Sequence, residues 1–448
     1  MGLALALEEQ GVPTVPVSTH VFARLAQATA KAAGMPTLRN VYVPQPIVGR
    51  TPEQLRAYIE GADPIHKRPF IQGVIEGLTQ PLSDEDLSGA TFERSTPRLL
   101  EADTEENLHR LFLDNHWTDT LPVVLPTEER VDAMLAGTSH ARDKVVGRMR
   151  PTAFREYWEF DVEKVAVNAV MAGARPEYFP VVLAMAASGI TARSSSTTSW
   201  AAISVVNGPV RGEIGMNDGI GAMGPYNHAN STIGRAYSLV SQNVQGGSVP
   251  GETYMGTLGN WLNYTACFPE AEERSPWAPF HTDAGFAATD SAVSIFFGGW
   301  YTLSGFGPRE SWKEKFVRYL TATDFYSPPI IVMDPIVARA FNDMGFSKDG
   351  LKQWCAENAK IPAREYWDDQ WTTTLNKPHA VAGIEPFAGR LRAAPDELVT
   401  LFRPEDINIV VTGGETQGGF KILSGRYIGS GPGTETKGKP TYSIDAWR

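Results

Sequence analysis

The sequence predicts an α/β protein: an N-terminal parallel sheet flanked by helices, its first strand missing, followed by one or two further α/β or α+β domains. Three observations carry this. Helical and β-branched runs alternate from Gly2 to Ile59. Later apolar strands end in Asn-Gly or Gly-Gly turns. The chain has 448 residues, 42% hydrophobic and 20% charged, enough for two or three cores.

Gly2 to Gln10 reads as the last turns of a helix stopped by Gly11, Val12 to Val17 as a short strand interrupted by Pro13 and Pro16, and Val21 to Ala33 as a helix ended by Gly34. Val41 to Val43 is a second strand, and Thr51-Pro52-Glu53 opens a helix through Ile59 with proline at its first position. Such a unit normally begins with a strand, whereas Met1 already stands inside the helix. Either something outside the chain completes the sheet or the domain starts unusually. Asp63 to Asn115 reads as a connector with one or two short helices. Leu121 to Leu125 is a strand candidate, and Thr127 caps a helix through Leu135. The apolar spacing of Val162, Val165, Ala166, Ala169 and Val170 makes Asp161 to Ala172 the clearest helix, with Asn168 on a solvated face. A helix from Pro176, a strand over Ala202 to Val206 and a helix over Ser231 to Ser241, capped by Asn230 or Ser231, follow. Further on, Ala292 to Phe297, Ile330 to Met333 and Ile407 to Val411 are strands, Pro335 to Met344 and Lys348 to Asn358 are helices, and Gly429 to Pro440 is an extended tail. The expected division is an incomplete Rossmann-like domain over 1–85, a connector over 86–120, a central α/β domain over 121–300 and a C-terminal α/β domain over 301–448.

The formal charge of −11, from 40 Lys+Arg and 51 Asp+Glu, argues against nucleic-acid or anionic-membrane partners. Two cysteines, Cys267 and Cys355, make neither a disulfide framework nor a Cys-rich zinc site. The opening GLALAL lacks the basic start of a signal peptide, and no apolar run approaches the ~18 residues needed to span a bilayer, so a cytoplasmic location is expected. No GxGxxG or GxxxxGK[ST] loop marks a dinucleotide or nucleotide, which leaves the cofactor unknown.

Chemistry-bearing residues gather between Val206 and His281. In GPYNHANSTIGRA, the helix start at Asn230, Ser231 and Thr232 offers free N–H groups, His228 lies in the loop before it, and Arg235 offers a fork for a carboxylate or phosphate. Asn207 and Asn217 suit ligand hydrogen bonding. The expected ligand of these residues is a small anion. An ordinary capped helix whose arginine meets a surface acid is the plainer reading. In CFPEAEERSPWAPFH, Cys267 is a candidate nucleophile if His281 folds back to favour its thiolate; otherwise it is a small buried hydrophobe. Glu270, Glu272 and Glu273 are candidate proton movers, their crowding raising a pKa. With His281 they can also bind a divalent metal, although no helical HxxxH spacing supports that.

Several of these stretches, together with DVEKVAVNAVMAGARPEYFPVVLA, VVNGP and GVPTVPVSTHVFARLAQATAKAAGMP, resemble the UGSC-type (seleno)protein family. The likeness runs over most of the chain and includes Cys267, Glu270, Glu272, Glu273, Trp277 and His281. The family's (seleno)cysteine-Gly-Ser-Cys motif, at the end of the first strand, has no counterpart in this chain, and Ala174 stands where a cysteine is expected. The resemblance implies that a redox pair is not encoded here and that a separate small subunit supplies strand and motif. The resulting expectation is an enzyme subunit making or breaking a carbon–heteroatom bond, first of all carbon–sulfur, in a heteromeric complex, with a higher oligomer as a further expectation. The alternatives are a hydratase or lyase using carboxylate and histidine without a thiol, and a non-catalytic scaffold subunit.

Overall fold

The computed structural model describes residues 2–32, 34–47, 49–81, 98–149, 158–192, 199–245, 250, 254, 256–307, 310–323, 328–426 and 440–448. Parts of the expected connector, of the stretch between Val206 and His281 and of the extended tail lie outside these residues.

The N-terminal alternation folds as a parallel pair. Helix Gly2–Glu8 ends before Gly11, and strand β1 (Val17–Thr19) pairs in parallel with β2 (Val41–Val43) across the helix Ala23–Ala32. The strand expected over Val12 to Val17 is displaced, because Pro13 and Pro16 lack the N–H that a ladder needs. Thr51 and Gln54 close a reciprocal cap on helix Pro52–Glu60, and Phe70, from helix Phe70–Thr79, packs against Val41 and Val43. Buried Asp63 accepts the Tyr42 amide at 2.8 Å, joining the turn after the third helix to β2.

Beyond helix Glu105–Asp114, the strand expected over Leu121 to Leu125 is irregular chain: Pro122 cannot donate, and the carbonyls of Leu121 and Pro122 go to Arg235. Thr127 caps Glu128–Leu135 and Asp161 caps Val162–Met171. β3 (Val145–Met149) and β4 (Trp158–Asp161) form an antiparallel pair leading into the latter helix. Asn168 is buried and not solvated; its amide oxygen accepts from Asn243 at 2.7 Å, on helix His228–Gln245.

The remaining strands are β5 (Ala201–Asn207), β6 (Cys267–Pro269), β7 (Ala292–Phe306), β8 (Pro329–Met333), β9 (Lys360–Pro362), β10 (Leu398–Thr400), β11 (Asn408–Val411), β12 (Gly419–Arg426) and β13 (Thr441–Ser443). All but the β9–β10 pair join one mixed sheet in the order β11-β8-β12-β7-β5-β6, with β13 also on β7. The stretches expected to form separate central and C-terminal domains therefore share a sheet. The reason is β7, which runs past residue 300 to Phe306 and pairs with β5 along its first half and with β12 along its second.

Side-chain alternation divides the sheet's neighbours. Ala202, Val206, Val293 and Ile295 join a core with helices Val162–Met171, Phe179–Ala187 and His228–Gln245. Ile331, Met333, Ile409, Val411, Phe420 and Ile422 join a second core with helices Trp312–Thr321, Pro335–Asp343 and Lys348–Asn358. The intervening residues Ile203, Val205, Phe268, Phe296, Ile330, Val332, Val410 and Leu423, one or more from every strand of the path, converge with Phe280 on a third cluster. The sheet is curled around that cluster, and its two edges meet where Ala271, just past β6, donates to Val411 at the end of β11 (2.7 Å).

Candidate functional site

The chemistry-bearing residues collect where those edges meet, at the carboxyl ends of β5, β6 and β11. β5 ends in Asn207, and Gly208 turns the chain away with φ of +85°; a Cβ there would lie 2.1 Å from the Asp290 carbonyl oxygen, so only glycine fits. After β6, Glu270 turns inward. It is 1% exposed, and its carboxylate accepts from Asn207 Nδ2 and the Phe280 N–H, both at 2.6 Å, and more distantly from the Val411 N–H. One carboxylate thus ties β5, the turn after β6 and β11 together. Burial pushes its pKa upward, against Lys348 and these donors.

Glu272 accepts from Asn207 Nδ2 at 2.9 Å and the Gly208 N–H at 2.7 Å, and its other oxygen lies 3.0 Å from Arg211. Arg211, almost wholly buried, also donates to the carbonyls of Gly208 and Glu270 and, at 2.8 Å, to Glu273. Arg211 holds the exposed Glu273 carboxyl below its usual range. Arg274 bridges Asp218 at 2.9 Å and Glu415 at 3.2 Å, and Thr412 and Gly413 donate to the Asp218 carbonyl. Gly414 is glycine for contact: a Cβ would sit 2.2 Å from the Ile220 side chain.

His281 lies beside this network, wholly buried in the short helical turn Phe280–Ala284. Its Nε2 is 2.9 Å from the Ala287 carbonyl, which can only accept, so Nε2 carries the proton and Nδ1 presents a lone pair. That Nδ1 is buried and meets no hydrogen-bond partner; the same holds for Asn207 Oδ1, whose Nδ2 is committed to the two glutamates. Burial lowers the His281 pKa, partly offset by the negative charge of Glu272, so the ring is neutral at pH 7.

Glu270, Glu272, Glu273, His281 and Asn207 are therefore brought together, and four groups that the sequence did not single out (Arg211, Asp218, Arg274 and Glu415) complete the cluster. Arg274 was within view, inside the EAEER run; Arg211 had no signal beyond following the Asn-Gly-Pro turn.

Other candidates sit elsewhere or are already engaged. Cys267 faces the helical core beneath Gly234, and burial pushes its thiol up to about 12, so no thiolate forms there at neutral pH. The helix expected from Ser231 begins three residues earlier, at His228, with Asn227 Oδ1 accepting the Asn230 N–H. Asn230 is therefore inside the first turn, buried, and bonded to the Asn217 backbone and the Ala222 carbonyl; Asn217 closes its own loop on Ile220. Ser231 and Thr232 donate to the carbonyls of Pro225 and His228, and the His228 ring lies against Tyr178. Arg235 places its fork on Asp119, both bonds 2.9 Å, so the anion-holding role expected of it is filled by the protein's own carboxylate.

Among the described residues no three His, Cys, Asp or Glu side chains are grouped to hold a metal ion, and no helix is long and apolar enough to cross a membrane. Residues 2–65 match the UGSC family, consistent with a UGSC-type protein. The match covers the N-terminal α/β unit as far as the turn before helix Phe70–Thr79 and stops short of the cluster at the carboxyl ends of β5, β6 and β11. No curated protein and no solved structure matches the chain.

Proposed function

We propose that the chain is an enzyme subunit that makes or breaks a carbon–heteroatom bond by acid–base chemistry, in the manner of a hydratase or lyase, with His281 as the base and no thiol of its own. The observation that carries this reading is the His281 imidazole: neutral, fixed in one tautomer by Ala287, and presenting an unpartnered Nδ1 beside Glu272. Such a nitrogen takes a proton from a C–H or water admitted beside it, and Glu272 stabilises the imidazolium formed. Its burial keeps bulk water from competing. Asn207, held by Glu270 and Glu272, offers its Oδ1 to a donor on the reacting molecule.

Carbon–sulfur chemistry that runs through a protein thiol needs that thiol from a partner, because both cysteines of the chain are buried with raised pKa values. An anionic substrate has lost its support, since Arg235 and the groups at the helix start are bound to protein partners.

The test is deuterium incorporation from heavy water into a panel of small hydroxy and α,β-unsaturated compounds, read by mass spectrometry on the full chain with any co-purifying partner. His281→Gln is expected to lower incorporation by about a hundredfold or more, and Cys267→Ser to leave it intact. Equal rates in wild type and His281→Gln overturn the reading. A second reading, a non-catalytic subunit in which the cluster only clasps the sheet, is favoured by the complete pairing of Glu270 and Arg211; it predicts no incorporation with any compound while the partner complex stays assembled.

A further inference from the structure

Helix His228–Gln245 has a second product, independent of the cluster around His281. It helps to build a cleft of about 380 Å³ lined by His116, Asp119, Thr120, Tyr254, Trp261 and Tyr264, a size in the range of small-molecule sites.

Both walls are held by side chains acting on backbone. On one side, Gln242 donates to the carbonyls of His116 (2.7 Å) and Thr118 (2.6 Å), Asn243 donates to that of Trp117 (3.0 Å), and Arg235 grips Asp119. This wall carries two non-glycine residues in the left-handed region, His116 (φ 57°) and Thr120 (φ 70°). A β-branched residue rarely accepts that conformation, so the helix amides hold a loop shape that the chain would not choose alone.

On the other side, Asn260 caps the turn Trp261–Asn263 and donates to the carbonyls of Ser199, Gly298 and Gly299, riveting the turn to the sheet. The turn displays Trp261, 70% exposed, and Tyr264 follows at 50%. Large aromatic side chains carried into water on a fixed turn beside a cavity are platforms for a flat ring, with no loop left to order on binding. Charge then narrows the ligand. Among the described lining residues Asp119 is the one carboxylate, it is neutralised by Arg235, and no lysine or arginine joins them.

We infer that this cleft is a binding site for a neutral small molecule bearing a flat ring, stacked on Trp261 and Tyr264 and hydrogen-bonded at the rim by His116. Arg235, expected from the sequence to hold an anionic ligand, instead helps to shape one wall of the cleft through Asp119.

Titration of the full chain with benzamide, benzoate, benzylamine and methyl β-glucopyranoside, followed by saturation-transfer NMR, tests the site. Benzamide is expected to bind, with benzoate and benzylamine about tenfold weaker or worse; Trp261→Ala is expected to raise the benzamide Kd by about tenfold, the effect of losing one stacking face. Trp261 is largely exposed, so its truncation leaves the cores untouched; Tyr264→Ala provides the same readout if Trp261→Ala does not fold. Absence of benzamide binding, binding that ignores both substitutions, charged probes that bind as well as benzamide, or preference for the glucoside each overturn the proposal.

Discussion

Burial holds the His281 imidazole below its ordinary value of 6.5, so the folded chain keeps it neutral where the unfolded chain takes up a proton. Between the lowered folded value and 6.5 the unfolded state binds more protons, and stability rises with pH. The His281 contribution is complete above 6.5 and is lost as the pH falls through the folded value. Glu270 has the opposite sign: its raised carboxyl keeps a proton that the unfolded chain has released, so its contribution is present below 4.5 and is lost as the pH rises through the folded value. Urea midpoints between pH 7.5 and 5.5 should therefore fall more steeply in wild type than in His281→Gln, by at most about 1.4 kcal/mol per pH unit for one proton; parallel profiles would contradict the assignment. Cys267 is predicted to be silent: iodoacetamide should label it only in denaturant, because both burial and a thiol pushed up to about 12 oppose attack.

At the scale of elements, the Arg235–Asp119 pair decides how helix His228–Gln245 meets the chain before Val123. Asp119 is 1% exposed at its side chain and Arg235 18%, so breaking the pair by Asp119→Ala strands a largely buried guanidinium, at a cost of about 3 kcal/mol, read by chemical denaturation. Gly208→Ala is predicted to cost about 2 kcal/mol or more, since the residue combines a left-handed φ with backbone contact at Asp290. These two sites also show what was legible in the sequence. Local rules worked: Thr127 caps the helix read from it, the helix opened at Thr51-Pro52-Glu53 forms with Thr51 as its cap, and Gly11, Gly34 and Gly173 take positive φ just past helix ends, while Asp161, read as the first residue of its helix, is its cap. Long-range facts did not show. Asp119 lies more than a hundred positions from Arg235, and nothing in either neighbourhood announces the pairing. Helix His228–Gln245 begins early because Asn227 supplies the cap, while the equally plausible caps Asn230 and Ser231 stand one turn later. The full length of β7 was hidden by Gly298 and Gly299, which usually weaken a strand; here a Cβ on Gly298 would meet the β12 backbone at 2.2 Å.

Across the molecule, stability is distributed unevenly, and the sheet shows how. β5, β7 and β12 have neighbours on both sides and are flanked by the apolar clusters, whereas β1 and β2 form a pair of three residues each. Although Val41, Tyr42 and Val43 are buried, a pair of three-residue strands has few ladder bonds and opens without disturbing the rest. Native-state hydrogen exchange should accordingly find the β5 and β7 amides opening only with global unfolding, and the Val41 and Val43 amides opening at least about 2 kcal/mol more easily. Between these extremes lies the join of the two sheet edges, which rests on the Ala271–Val411 hydrogen bond and on Glu270. Glu270→Ala leaves the Phe280 N–H buried without an acceptor and removes one of the two acceptors of Asn207 Nδ2, Glu272 keeping the other, a loss of about 3 kcal/mol. If Glu270 is the clasp of a curled sheet, that loss is selective: protection should fall first at Phe280, Ala271 and Val411, with β12 and the centre of β7 retaining theirs until the whole domain unfolds. A uniform decrease in protection along every strand would instead make Glu270 one more member of a single cooperative core, and the joining of the edges would then be a consequence of the packing around Phe280 and not its cause.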